Sequence, residues 1–118
     1  MIVEERRYTL RTGQAPEYLR LYEQYGLPVQ KRHLPPSLGC YVTEVGRLNT
    51  VMHLWAYESF EERKQRRSAM RADPEWPLYL ARIQPLIVRQ QTQLLLPASF
   101  FDVAGLRRCL AAHAEAPT

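Results

Sequence analysis

The stretch from Leu38 to Arg67, LGCYVTEVGRLNTVMHLWAYESFEERKQRR, constrains the fold more than any other part of the chain. GCYVTEV and TVMHLWAY are rich in β-branched and aromatic residues, which suit a pleated surface. Gly46-Arg47-Leu48-Asn49 lies between them, and Gly and Asn tolerate the positive φ of tight turns. The pattern predicts a hairpin whose first cross-strand pair is Val45 and Thr50. In that register Cys40 faces Trp55, Val42 faces His53 and Glu44 faces Val51. These residues and Tyr57 share one side, while Tyr41, Thr43, Met52, Leu54 and Ala56 share the other. Glu44 then lies diagonal to His53, with backbones roughly 7–8 Å apart. Both sides are largely apolar, so both faces of the sheet need cover.

The flanking segments supply the rest of one domain. Ile2–Arg11 alternates and reads as a first strand, with Ile2, Tyr8 and Leu10 on one side and Val3, Glu5, Arg7 and Thr9 on the other. The charges from Glu4 to Arg7 either line a polar pocket or pair with one another. A helix follows, with Pro16 in its first turn and Tyr18, Leu21, Tyr22 and Tyr25 at helical spacing as a core stripe. Gly26 and Pro28 kink or restart it, and His33 reads as an exposed end residue before the Pro35-Pro36 breaker. Ser59 caps a second helix, with Glu62 completing a capping box and Phe60, Arg67 and Met70 on its inner edge. Asp73-Pro74 restarts a short helix carrying Trp76, Tyr79, Leu80 and Ile83. Leu86–Leu96 is a fourth strand with a polar middle, and Asp102–Ala114 has helical propensity.

The order β-α-β-β-α-β is the ferredoxin-like split βαβ pattern, an α+β fold with helices on one face of a sheet. Residues 1–100 form this domain, and residues 101–118 form a C-terminal helical tail. The second sheet face would be open, and two-fold pairing of two sheets is the simplest cover. A homodimer is therefore expected.

Composition narrows the function classes. The chain has 16 basic and 12 acidic residues, a net charge of +4. The basic residues Arg63, Lys64, Arg66, Arg67 and Arg71 are interleaved with Glu61, Glu62 and Asp73, which reads as a solvated helix face and not a nucleic-acid surface. Cys40 and Cys109 make no disulfide framework, and Cys40 reads as a small buried residue. No CxxC or His-Cys cluster suggests a metal, and no cofactor is called for. No apolar run of membrane-spanning length occurs, and the N-terminus enters a strand at once, so a reducing cytoplasm is the expected compartment.

IVEERRYTL, GLPVQKR, NTVMHLWAYESFEERKQRR and DPEWPLYL, in this order over roughly the first hundred residues, together resemble the NIPSNAP family. The resemblance implies a dimeric α/β barrel, in which two ferredoxin-like sheets pack face to face. It implies no agreed biochemical activity. The broader group includes cofactor-free monooxygenases and haem-degrading enzymes.

No Gly-x-Ser-x-Gly elbow or phosphate-binding Gly loop is present. His53 is the best candidate for chemistry, since it titrates near neutrality and sits among aromatic residues. With Glu44 orienting one ring nitrogen, the other would act as acid or base, and the Glu44 carboxylate would raise the His53 pKa. Trp55, Tyr57, Trp76 and Tyr79 would form an aromatic pocket, with Arg89 binding an anionic group. Two functions remain open: a NIPSNAP-type homodimer binding a small molecule, or a small cofactor-independent enzyme acting on an aromatic or polyketide-like substrate.

Overall fold

A computed structural model describes residues 1–115. Four strands form one antiparallel sheet in the order β2-β3-β1-β4. They are β1 (Ile2–Leu10), β2 (Ser37–Val42), β3 (Thr50–Tyr57) and β4 (Ile87–Leu95). The helices are α1 (Ala15–Leu21), α2 (Leu27–His33), α3 (Phe60–Ala72), α4 (Glu75–Ile83) and α5 (Val103–Glu115). The expected α+β, ferredoxin-like arrangement is the observed one. No helix among the described residues is long and apolar enough to cross a membrane.

The alternation of β1 and β3 decides which face carries the core. Ile2, Glu4, Arg6 and Tyr8 pair with Tyr57, Trp55, His53 and Val51 respectively. All eight therefore share the helix-covered face, where Val51, Trp55 and Tyr57 join Tyr18, Val29, Met70 and Tyr79 in the core. Val3, Glu5, Arg7, Met52 and Leu54 lie on the opposite face, which no helix among the described residues covers. There Glu5 and Arg7 neutralise each other across 2.5 Å.

The hairpin differs from expectation by two residues. Cys40 pairs with His53 and Val42 with Val51. The reason lies in the loop. Gly46 (φ +124°) and Asn49 (φ +60°) do take positive φ. The four-residue turn expected between Val45 and Thr50 does not close, because it is the Thr43 N–H that bonds to the Thr50 carbonyl, at 3.1 Å. β2 stops at Val42, and a longer loop follows. A shift of two keeps every side chain on its expected face. It nevertheless leaves Glu44 in the loop and exposed. β2 is also an edge strand, so Cys40 is exposed and not buried.

The first helix is restarted as its sequence suggests, through a π-helical turn at Tyr22–Gly26. The Leu27 N–H bonds back five residues to the Tyr22 carbonyl. Pro28, which has no N–H, stands in the first turn of α2. The turn brings Gly26 against Tyr79, and a Cβ on Gly26 would stand 2.6 Å from Tyr79 Cζ. Tyr79 is only 2% exposed and has little room to retreat. Gly26→Ala is expected to cost about 1–3 kcal/mol through overpacking, read as a lower urea midpoint with an unchanged slope. A neutral outcome would mean that α2 and α4 are not in this contact.

Three helix details correct the sequence reading. Ser59 caps α3 by accepting the Glu62 N–H at 3.1 Å, but the Glu62 carboxylate accepts from the Glu58 N–H, one residue before the cap. Arg67 and Met70 face inward, whereas Phe60 is exposed. His33 is half-buried, not a free end: its Nε2 lies 2.8 Å from Asp73 Oδ2. Together with the Glu75 N–H and Arg32, this contact holds the Asp73 carboxyl down at about 2 and fastens α2 to the α3–α4 corner. On the far side, Arg107 of α5 forks onto Glu58 through two 2.8 Å hydrogen bonds.

Candidate functional site

Between the sheet and α1, α3 and α4 lies a cavity of about 260 Å³. Its walls are aromatic: Tyr8, Tyr18, Trp55, Trp76 and Tyr79 line it, as does His53. Arg6 from β1 and Arg67 and Arg71 from α3 add three guanidinium groups. No carboxylate lines the cavity among the described residues.

The π-helical turn and the strand pairing organise its centre. Tyr18 and Tyr22 stack with planes 2° apart, and the Tyr22 ring lies edge-on to His53 at 4.7 Å. The Tyr18 hydroxyl is 2.9 Å from His53 Nε2, which fixes the imidazole from the helix side. The Tyr22 hydroxyl donates to Gln30 Oε1 at 2.5 Å.

Behind the arginines sits Glu4, wholly buried in the middle of the sheet. Its two oxygens receive Arg63 and Arg67, the latter at 3.2 Å, and Arg6 stands 3.9 Å away. Both earlier alternatives for the β1 charges are realised. Glu4 pairs with α3, Glu5 pairs with Arg7, and Arg6 faces the cavity while donating to the Tyr8 hydroxyl at 2.9 Å.

His53, Trp55 and Arg67 are 3%, 2% and 5% exposed. His53 Nδ1, Trp55 Nε1, Arg67 Nε and the Tyr57 hydroxyl beside Arg67 have no other hydrogen-bond partner among the described residues. Trp Nε1 and Arg Nε can only donate. A buried donor left unsatisfied costs about 1–3 kcal/mol.

The electrostatics of His53 run opposite to the sequence reading. Burial, followed by the positive charge of Arg6, pushes its pKa down to about 4. Glu44 does not orient this imidazole; the Tyr18 hydroxyl does. The ring is neutral at physiological pH. Burial and the neighbouring Arg6 also lower the Arg67 pKa.

Of the residues assigned to a pocket from sequence, the fold brings His53, Trp55, Trp76 and Tyr79 together around this cavity. Tyr57 is buried in the core and does not line it. Arg89 pairs with Thr9 and borders a separate surface depression beside β4. The cationic role given to Arg89 falls instead to Arg6, Arg67 and Arg71. An arginine on the inner edge of α3 and one inside β1 were the signals for this. Among the described residues, no group of three or more His, Cys, Asp or Glu is placed to hold a metal ion.

Comparison with known proteins gives a consistent set of relatives. The NIPSNAP family profile matches residues 3–101. Protein NipSnap of Drosophila melanogaster is 31% identical over 70 residues, which cover 59% of this chain and 26% of that protein. The curated relatives are matched over only 13% to 37% of their own length. Among solved structures, an uncharacterized NIPSNAP-like domain protein from Burkholderia xenovorans is 46% identical with a TM-score of 0.81, over 85% of this chain and 87% of that one. A protein described as a candidate antibiotic biosynthesis monooxygenase from Nitrosomonas europaea superimposes with a TM-score of 0.63 over 82% of this chain and 98% of that one. At 6% identity that likeness shows the fold alone.

Proposed function

The chain belongs to the NIPSNAP family, and from that premise we propose that it works as a homodimer holding a small molecule in the cavity between its sheet and its helices. The observation that carries the reading is a cavity whose lining joins five aromatic rings to three guanidinium groups and includes His53, Trp55 and Arg67, each with a buried polar atom that lacks a partner among the described residues. At about 260 Å³ the space is below the roughly 300–1,000 Å³ of pockets for drug-sized ligands, so the occupant is small.

Both tryptophans of the chain, Trp55 and Trp76, line the cavity, so their fluorescence reports on occupancy. Titration with benzoate, benzamide and benzyl alcohol is expected to give saturable quenching by at least one of them. No response to any of the three would count against the site.

The uncovered sheet face supports the dimer. It offers Val3, Met52 and Leu54, and its Glu5–Arg7 pair is already neutralised, so a second copy can cover it at little electrostatic cost. Sedimentation equilibrium at micromolar concentration is expected to return twice the 13.8 kDa chain mass. A monomer alone would contradict this.

A cofactor-independent enzyme acting on an aromatic or polyketide-like substrate is the second reading. One observation favours it: His53 has one ring nitrogen held by Tyr18 and the other unpartnered. Binding ranks ahead because a general base works best with a pKa near the operating pH, and His53 is held at about 4.

A further inference from the structure

We propose that the molecule held in this cavity is a small planar carboxylate, with its carboxylate on the arginine side and its flat body between the aromatic walls. This rests on reading the cavity as a ligand site and goes further by naming the chemical class of the ligand.

Charge is the first argument. Arg6, Arg67 and Arg71 line the cavity, and Arg63 stands behind them on Glu4. Three guanidinium groups, those of Arg6, Arg63 and Arg67, thus surround one carboxylate, which Arg63 and Arg67 from α3 engage, and Arg71 adds a fourth positive charge at the cavity. The excess positive charge is partly desolvated, where it is least screened by salt. An anion entering the space relieves it, and a neutral molecule does not.

Hydrogen-bonding capacity is the second argument. Trp55 Nε1–H is a donor with no partner among the described residues, and Arg67 Nε–H has only the Tyr57 hydroxyl beside it. When the Tyr18 hydroxyl donates to His53 Nε2, the neutral imidazole carries its proton on Nδ1, and a third donor becomes available. A carboxylate has two oxygens and about four acceptor sites, enough for all three, and guanidinium–carboxylate contacts are among the stronger hydrogen bonds.

Shape is the third argument. Tyr8, Tyr18, Trp76 and Tyr79 present ring surfaces around a space too small for an extended ligand. An aromatic or unsaturated acid matches that shape, because its ring lies among apolar walls while its acid end reaches the donors.

The test is calorimetric titration of the full chain at pH 7 with benzoate and with benzamide, which has nearly the same shape and no charge. Benzoate is expected to bind at least about tenfold more tightly, the scale of one charge-assisted hydrogen bond. Arg6→Gln is expected to weaken benzoate more than benzamide and so remove most of that preference. Arg71→Gln, at an exposed position, should lower benzoate affinity in the same direction and guards against a folding defect in the first variant. Equal or tighter binding of benzamide would overturn the carboxylate assignment and leave the cavity standing as a ligand site. Binding of neither probe, with unchanged tryptophan fluorescence, would overturn both.

Discussion

Replacing Glu4 by Ala is expected to destabilise the fold by about 3–5 kcal/mol. Glu4 has no exposed surface, and Arg67, one of its partners, is 5% exposed. Removing the carboxylate leaves Arg67 in the interior with Arg6 nearby and no counter-charge, and the cost is mostly that stranded positive charge. The double variant Glu4→Gln/Arg67→Met removes both charges at similar volume and is expected to recover much of the loss. Glu17→Gln is the contrast. Its pair with Arg20 lies on the surface of α1, where both side chains are well exposed, and exposed pairs contribute little. Urea unfolding of the four proteins measures this directly. A loss below about 1 kcal/mol in Glu4→Ala would show that the carboxylate does not hold Arg67.

Stability is also expected to rise with pH between about 4 and 6.5, by on the order of 3 kcal/mol. His53 is the source. Its folded pKa is pushed down to about 4 by burial and by Arg6, whereas an unfolded histidine titrates near 6.5. Within that window the unfolded chain binds the proton and the folded chain does not, so lowering the pH favours unfolding. Below about 4 both states are protonated at this site and the dependence levels off. His53→Leu is expected to flatten the curve over this range. An NMR titration should find the His53 ring protons moving near pH 4, at the same midpoint in Glu44→Gln. A midpoint above 6.5, or one that moves in that variant, would restore the Glu44 pairing that the loop rules out.

The legible and illegible parts of this molecule separate along a physical line. Alternation in β1 and β3, the Ser59 cap and the Asp73-Pro74 break are local signals, and they place the sheet, its helix-covered face and most element ends. Local patterns also put His53, Trp55, Trp76 and Tyr79 on helix- or sheet-inward positions, and the fold gathers them. Glu44 failed because hairpin register depends on loop length, and Gly46 and Asn49 are equally compatible with a short turn and a longer one. The arginine wall was hidden for another reason. Glu4 and Arg67 are 63 residues apart, and no local pattern says that a carboxylate in one strand meets the inner edge of a later helix. Tyr18 reads as core, and it is core. Its second role, holding His53 Nε2, appears only when α1 is laid on β3.

The cavity between the sheet and the helices is proposed as a ligand site, and an occupant would lie against both indoles. The indole N–H signals of the ¹H–¹⁵N spectrum test it most directly, because the chain has two tryptophans and both line the cavity. Trp55 Nε1 has no partner among the described residues. On adding benzoate its signal is expected to move downfield saturably as the N–H gains a hydrogen bond, while the His53 ring signals shift over the same concentration range. Both indole signals staying fixed at millimolar benzoate, benzamide and benzyl alcohol would contradict the account.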